Sequence, residues 1–465
     1  MFSGATRELA SGREDNFGQT PAVPAQVEVR ALKNYSLSVT PGTIENQEQH
    51  ADRMSRASRP GNKKGDFSIP FQLSYGDFDE MFEEAMGGTW TPLASTTGAI
   101  TVAAAGKTFT RAAGSFVTDG FAVGQEIITT NFVTGANNGS FIITAVSALV
   151  ITCAAAAGLV DEVGPAGVNI KTAIDVLKVG NIRRSRYFED RNPDADLYEL
   201  YNGCAISAFD LAIEPEKIVT GTFKGIARDC VIAAAIDKSI AVASGGKTFT
   251  MAAGGFLKKG SEFAVGMNII TSGFTNAGNN GTFTITAVTD TVITCGGAAG
   301  LVTEANAAGR SIVMGSLGVV TPASDNEPYD SYIGDLGEGG VDQTVATGVK
   351  ISFDNNLQAK FVVLTDGADA AASIKPSGTI KLTGELSAFF QNQALKQKFL
   401  AGETSSVNVL LGTGLPGGKS MRLILGNIQY TGNTRSTDDT IIESAPFAAH
   451  KSTATATNLE IHRIP

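Results

Sequence analysis

The sequence predicts a mainly β protein: tandem antiparallel β-sandwich or barrel units, each with a flanking short helix, plus two small inserted all-β modules. Three observations predict it. One passage occurs twice. GKTFTRAAGSF (Gly106–Phe116), then GQEIITTNF, ANNGSFIITAV and LVITC to Cys153, returns as GKTFTMAAGGF (Gly246–Phe256), then GMNIITSGF, GNNGTFTITAV and TVITC to Cys295. Around these copies a second pattern recurs with almost no residue identity: strand, long loop, strand, short helix, Gly. Composition agrees, because 53 Gly among many Ala, Thr and Val suit strands joined by tight turns.

Each copy is a module of roughly 75 residues with several short Val-, Ile-, Thr- and Phe-rich strands, which reads as a small barrel or sandwich. Asn137–Gly139 and Asn279–Gly281 read as Asn-Gly hairpin turns with positive φ. Taking the modules as 96–174 and 237–315 leaves a discontinuous host of 1–95, 175–236 and 316–465 in two pseudo-repeated halves. Both modules are expected to fold independently and project outward.

The host opens with a Pro-punctuated arm, Phe17–Gln26. A strand follows in which Tyr35, Leu37 and Val39 alternate with Ser36, Ser38 and Thr40. A long charged loop is expected from Thr43 to Gly65. The next strand alternates Phe67, Ile69, Phe71 and Leu73 with Asp66, Ser68 and Gln72, and Pro70 predicts an edge or a bulge. A helix starts near Gly76 with Asp77 as its expected cap. Its stripe is Phe78, Met81, Phe82 and Ala85, its acidic side (Asp79, Glu80, Glu83, Glu84) is expected in water, and Gly87 and Gly88 end it.

The last segment repeats this order. Val349, Ile351 and Phe353 alternate with Lys350, Ser352 and Asp354, and a loop runs to Gly378. Ile380, Leu382 and Leu386 then alternate with Lys381, Thr383, Glu385 and Ser387. A helix carries Leu395 and Phe399, and Gly402 ends it.

A net charge of −10 argues against a globally basic nucleic-acid binder. No run of about 18 apolar residues occurs, so no membrane anchor is expected, and the first residues lack the apolar core of a secretory signal. The cysteines have no CxxC spacing. Cys153 and Cys295 end equivalent strands and read as small buried hydrophobes. Gly245–Thr248 lacks the spacing and following helix of a phosphate loop. His50, His450 and His462 are scattered and read as surface residues. Asp194–Asp196 and Asp438–Asp439 read as solvated loops. No catalytic residues, metal ligands or cofactor site stand out, and an enzyme is not expected.

The densest polar feature is the 43–65 loop, with Glu48 and Asp52 against Arg53, Arg56, Arg59, Lys63 and Lys64. Both signs on one loop suit a partner surface, where charge gives orientation and register. The faces carrying Asp66, Ser68 and Gln72 and Lys381, Thr383 and Glu385 are too polar for a core.

Several strings carry a family resemblance: FGQTPAVP, Arg56–Trp90, Asp175–Glu189, Asn202–Asp229 and Gly378–Gly402. Together they resemble the major tail tube proteins of long-tailed, siphovirus-type bacteriophages, over about two thirds of the chain, and the inserts resemble modules that some of these carry on the tail exterior. The resemblance implies packed antiparallel sheets that join across subunits into a barrel around a channel, with rings stacked through long loops and arms. It implies a virion tail protein, assembled in the host cytoplasm, whose partners are itself, in rings of three chains with six left open by the sequence pattern, other tail proteins at the tube ends, the tape measure protein, and double-stranded DNA passing non-specifically. Asp66, Ser68, Gln72, Lys381, Thr383 and Glu385 are then lumen-facing candidates, and the charged loop residues inter-ring candidates. The competing reading is a host-surface or carbohydrate-binding protein with the inserts as binding modules. Inserts that carry Phe but no clustered Tyr or Trp argue against it.

Overall fold

Alternation from Asp66 to Gln72 puts Phe67, Ile69 and Phe71 on one face, and the host is assembled around that strand. The structure, a computed structural model, describes residues 7–18, 21, 25–48, 54, 57–154, 158–192, 197–232, 236–252, 255–256, 263, 265–297, 300–343, 345–362, 370–437 and 440–465. In chain order the principal host elements are β1 (Glu8–Arg13), β2 (Ser36–Ile44), β3 (Arg59–Gln72), α1 (Asp79–Met86), β4 (Arg186–Asn192), β5 (Leu197–Ile213), β6 (Thr220–Ile226), β7 (Ala346–Asp354), β8 (Lys381–Phe389), α2 (Ala394–Ala401), β9 (Thr404–Leu411), β10 (Ser420–Tyr430), β11 (Thr434–Arg435), β12 (Ile442–Ala449) and β13 (Glu460–Ile464).

Antiparallel pairing gives one sheet in the order β2–β3–β6–β5–β7–β8–β12. Further strands extend from it: β1, β4 and the first part of β5 in one half, and β9, β10 and β13 in the other. The core lies under the apolar face. Phe71 stacks on Phe223 at 4.6 Å, and Phe82 of α1 meets Phe209 edge-on at 5.1 Å. Each fully buried Phe of this kind contributes about 1.5–3 kcal/mol.

Several expectations change. The Thr43–Gly65 segment is largely a hairpin: Thr43 lies opposite Pro60, Ile44 opposite Arg59, and the connection is 45–58. Polar residues on both faces of this extension hide its period of two. Pro70 marks no bulge, because β3 stays in register with β6 through Pro70↔Thr222, and it sits on a local edge, since β2 does not reach past Ser68. The Pro70 carbonyl accepts from Leu32 N at 2.8 Å, so the missing N–H faces that same side, where β2 has already ended with Ser36 opposite Ser68. No ladder bond is lost. The stretch before Gly378 contains a hairpin of Leu357–Lys360 with Ser373–Pro376.

A further change concerns α1. Asp77 does not cap it; Phe78 holds the cap position, and Asp77 accepts from Arg30 Nη1 at 2.7 Å. Gly87 does end the helix, with φ 63°. Of the acidic side Glu80 is exposed, but Asp79, Glu83 and Glu84 are buried. Arg186, 2% exposed, donates from Nε (2.7 Å) and Nη2 (3.0 Å) to the two oxygens of Glu84, and from Nη1 to Ser11 Oγ (2.8 Å). Arg13 pairs with Glu83 and Arg463 with Asp79. These cations arrive from β1, β4 and β13, so the helix sequence alone reads as amphipathic.

Module 2, from Ile236–Ala243 to Glu304–Met314, is a closed barrel. Module 1, from Ser95–Gly98 to Val168–Thr172, remains an open sheet because its first strand is broken into Ser95–Gly98 and Ile100–Ala103. Their cores match: Phe109, Phe116, Phe121 and Phe132 against Phe249, Phe256, Phe263 and Phe274, all buried. Cys153 and Cys295 are buried beside them, and burial pushes both thiols up to about 12.

The Asn-Asn-Gly sites are not two-residue turns. Asn137 and Asn279 end short 3-10 turns, and the following Asn138 and Asn280 are extended. Asn279 is fully buried and donates to Val302 O (2.9 Å) and Glu304 Oε2 (2.8 Å); Asn137 does the same with Val160 O (3.0 Å) and Glu162 Oε2 (2.8 Å). Joining two loops from inside outweighs local turn preference. His462 is likewise buried rather than at the surface, 3.1 Å from Glu460 Oε2. His450 is exposed. His50, Asp194–Asp196 and Asp438–Asp439 lie outside the described residues.

Candidate functional site: a polar sheet face and two hairpin arms

Alternation along each strand of the main sheet leaves one face without an apolar partner. On β3 it carries Asp66, Ser68, Pro70 and Gln72, and on β8 Lys381, Thr383, Glu385 and Ser387, while Phe67, Ile69, Phe71, Leu382 and Leu386 point into the core. The six candidates Asp66, Ser68, Gln72, Lys381, Thr383 and Glu385 thus share one face of one sheet. They form two groups, separated by β6, β5 and β7.

The intervening strands supply residues absent from that set: Thr222 and Lys224 on β6, Asp210 on β5, and Lys350, Ser352 and Asp354 on β7. The signal was present, because Thr220, Thr222 and Lys224 alternate with Gly221, Phe223 and Gly225. Glycine at two of the inward positions weakened the hydrophobic period.

The face is ionic and of mixed sign. Asp66, Asp210, Asp354 and Glu385 are interspersed with Lys224, Lys350 and Lys381. Lys224 Nζ lies 2.6 Å from Asp210 Oδ2, Ser38 Oγ donates to Asp66 at 3.0 Å, and Ser444 Oγ donates to Glu385. An open groove of about 720 Å³ runs over it, lined by Pro70, Asp210, Thr222, Lys350, Ser352 and Glu385. Among the described residues no group of His, Cys, Asp and Glu could hold a metal ion.

Each half also extends a hairpin arm beyond the sheet: β2 with β3 in the first, Leu357–Lys360 with Ser373–Pro376 in the second. The charged loop residues separate on the first arm. Glu48 is exposed on the connection. Arg59 and Lys64 are exposed on β3, while Lys63 turns back to the host, with Nζ 2.7 Å from Asp229 Oδ1. Asp52, Arg53 and Arg56 lie outside the described residues.

The modules are rooted differently. Module 1 encloses a core of its own, to which the host side contributes Ala94. The module 2 core continues into the host through Tyr187, Leu200 and Leu317. Leu317 N also donates to the buried Glu189 at 2.6 Å. The module phenylalanines form these cores and offer no aromatic platform of the kind sugars stack on.

A family model described as phage tail tube protein matches residues 4–311 and 275–449. No curated protein matches the chain.

Proposed function

Because the chain belongs to the phage tail tube protein family, we propose that the polar face of its main sheet lines the tube channel and that its hairpin arms join successive rings. The protein is a non-enzymatic structural subunit of the virion tail, and it assembles with itself into the tube. The observation that carries the channel reading is the continuous face from β3 to β8, charged in both halves and backed by one core. Asp66, Ser68, Gln72, Lys381, Thr383 and Glu385 belong to this lining, together with Lys224, Asp210, Lys350, Ser352 and Asp354.

A lining of mixed sign lets duplex DNA pass, because phosphate affinity grows with the number of phosphates neutralised. Three chains per ring fits a chain whose strand–arm–strand–helix unit occurs twice. The first arm, with Glu48, Asp52, Arg53, Arg56, Arg59 and Lys64, reaches the next ring; Lys63 braces it against Asp229. We assign the tail to the siphovirus type on the resemblance of the host strings, with tape measure protein inside the growing tube and other tail proteins at its ends. Segments 96–174 and 237–315 form the exterior modules. Electron microscopy of the purified protein tests the reading: tubes of threefold rings with a central channel are expected, and a protein that stays monomeric at high concentration would overturn it.

A further inference from the structure

We infer that the junction between the two halves of one chain is the template for the seam between neighbouring copies, which pairs Leu37 of one copy with Tyr430 of the next and Ser36 with Thr431. This rests on the tube reading above and adds the strand register of the contact. Within the chain the halves meet where β7 adds to β5: Phe353 lies opposite Phe209, Ser352 opposite Asp210 and Ile351 opposite Leu211. The Phe209 and Phe353 rings stack across this junction at 5.1 Å, and Ser352 Oγ donates to Asp210 Oδ1 at 2.5 Å.

The halves align residue by residue. Gly87 matches Gly402, each ending its helix with a left-handed φ of 63° or 67°. At the same offset Phe71 matches Leu386 and Ser68 matches Thr383. Ser36 pairs with Ser68 as Ser352 pairs with Thr383, so Ser36 is the counterpart of Ser352 and Leu37 of Phe353. On the other side Phe223 lies opposite Ile69 as Phe447 lies opposite Gly384. Phe209 faces Phe223 as Tyr430 faces Phe447, which makes Tyr430 the counterpart of Phe209.

Both counterparts lie on edges that no described strand of the chain covers. β9 leaves β10 after Thr404↔Gln429, so from Tyr430 to Arg435 only β12 is paired. Among the described strands β2 is paired only with β3. The backbone directions fit. Thr431 N donates inward to Pro446 O, which turns the Tyr430 N–H and C=O to the open side. The Pro70 carbonyl points toward the β2 side, so Ser68 does too; Ser68 then bonds Ser36, and the Leu37 groups turn outward. In the free chain the Tyr201 hydroxyl reaches the Leu37 carbonyl at 3.3 Å, leaving that oxygen a second lone pair for the seam. Leu37–Tyr430 is then a hydrogen-bonded pair. Ser36–Thr431 is a non-bonded pair, whose Cβ atoms come close enough for a disulfide.

The test is the Ser36→Cys/Thr431→Cys protein, assembled, oxidised and run without reductant. Covalent dimers and a species ending at the ring size are expected, with none from either single variant or from the off-register pair Thr40→Cys/Thr431→Cys. Tubes that form without cross-links would overturn the register while leaving the tube reading intact. A wild-type protein that never assembles would instead overturn the tube reading on which the seam rests. Hydrogen exchange on wild-type tubes gives a readout free of any substitution. The Leu37 and Tyr430 amides should exchange at least about 100-fold more slowly in tubes than in the monomer, and equal rates would sink the seam.

Discussion

At the residue scale, two ionic contacts, one buried and one half-buried, govern stability in different ways. Arg186 has no water to fall back on: burial alone would lower its pKa, and the Glu84 carboxylate raises it again. Removing one member of such a pair strands the other charge, at a cost of about 3–5 kcal/mol. Arg186→Ala should therefore lower the unfolding free energy read from denaturant melts by that much, whereas Arg186→Met with Glu84→Met should recover most of it. Equal losses for the single and double changes would show that packing, not charge, sets the cost. Burial opposes ionisation of Glu304, yet the backbone N–H groups of Thr275 and Asn276 and the amides of Asn276 and Asn279 overcome it and hold the carboxyl at about 2. Because the folded value lies below the ordinary 4.5, this contact stabilises module 2 fully above about pH 4.5, and the gain is lost as pH falls toward 2. Exchange at Thr275 and Asn276, corrected for the intrinsic pH effect, should accelerate across that window. Glu304→Gln should remove the pH dependence.

At the element scale, the modules answer differently to excision. Both enter and leave on neighbouring strands, Ser95 opposite Lys171 and Ile236 opposite Ile312, so a short Gly-Ser bridge spans either gap. Removing 95–172 should leave host stability nearly unchanged and give thinner tubes. Removing 236–312 uncovers Leu200 and Tyr187, and Leu200 alone costs about 1.5–3 kcal/mol. Thermal unfolding of the two deletions, with tube diameters from micrographs, checks this; an unstable first deletion would contradict it. The first arm makes a separate case. Replacing 45–58 with a tight turn keeps every β2–β3 pair, so a folded monomer is expected, with stacking into tubes lost. Tubes of normal length would remove the arm from the ring contact.

At the scale of the whole molecule, charge and assembly act together. The chain carries −10 overall, and its sheet face places carboxylates beside lysines. Such a surface neutralises few phosphates, so binding to duplex DNA should be weak at low salt and absent at physiological salt. Submicromolar affinity under those conditions would contradict a transit channel. Asp66→Lys with Glu385→Lys adds cations to the face without touching the core. Rings should still form, and DNA ejection from virions should slow; loss of rings would move these residues to an interface.

The strands, the repeat and the two helices were legible because an apolar face repeats every two residues in a half-buried strand and every three or four in a helix. Phe67, Ile69 and Phe71, Val349, Ile351 and Phe353, and the stripe on α1 each obey that rule within a dozen residues. The polar face could be read for the same reason, as the residues left over by the alternation. What the chain order does not carry is who meets whom across hundreds of positions. The acidic side of α1 looks solvated until β1, β4 and β13 bring Arg13, Arg186 and Arg463 to it. The buried Asn137 and Asn279 look like turn residues until a second loop closes over them. In each case a long-range partner satisfies a polar group that local rules assign to water, and only the folded chain supplies that partner.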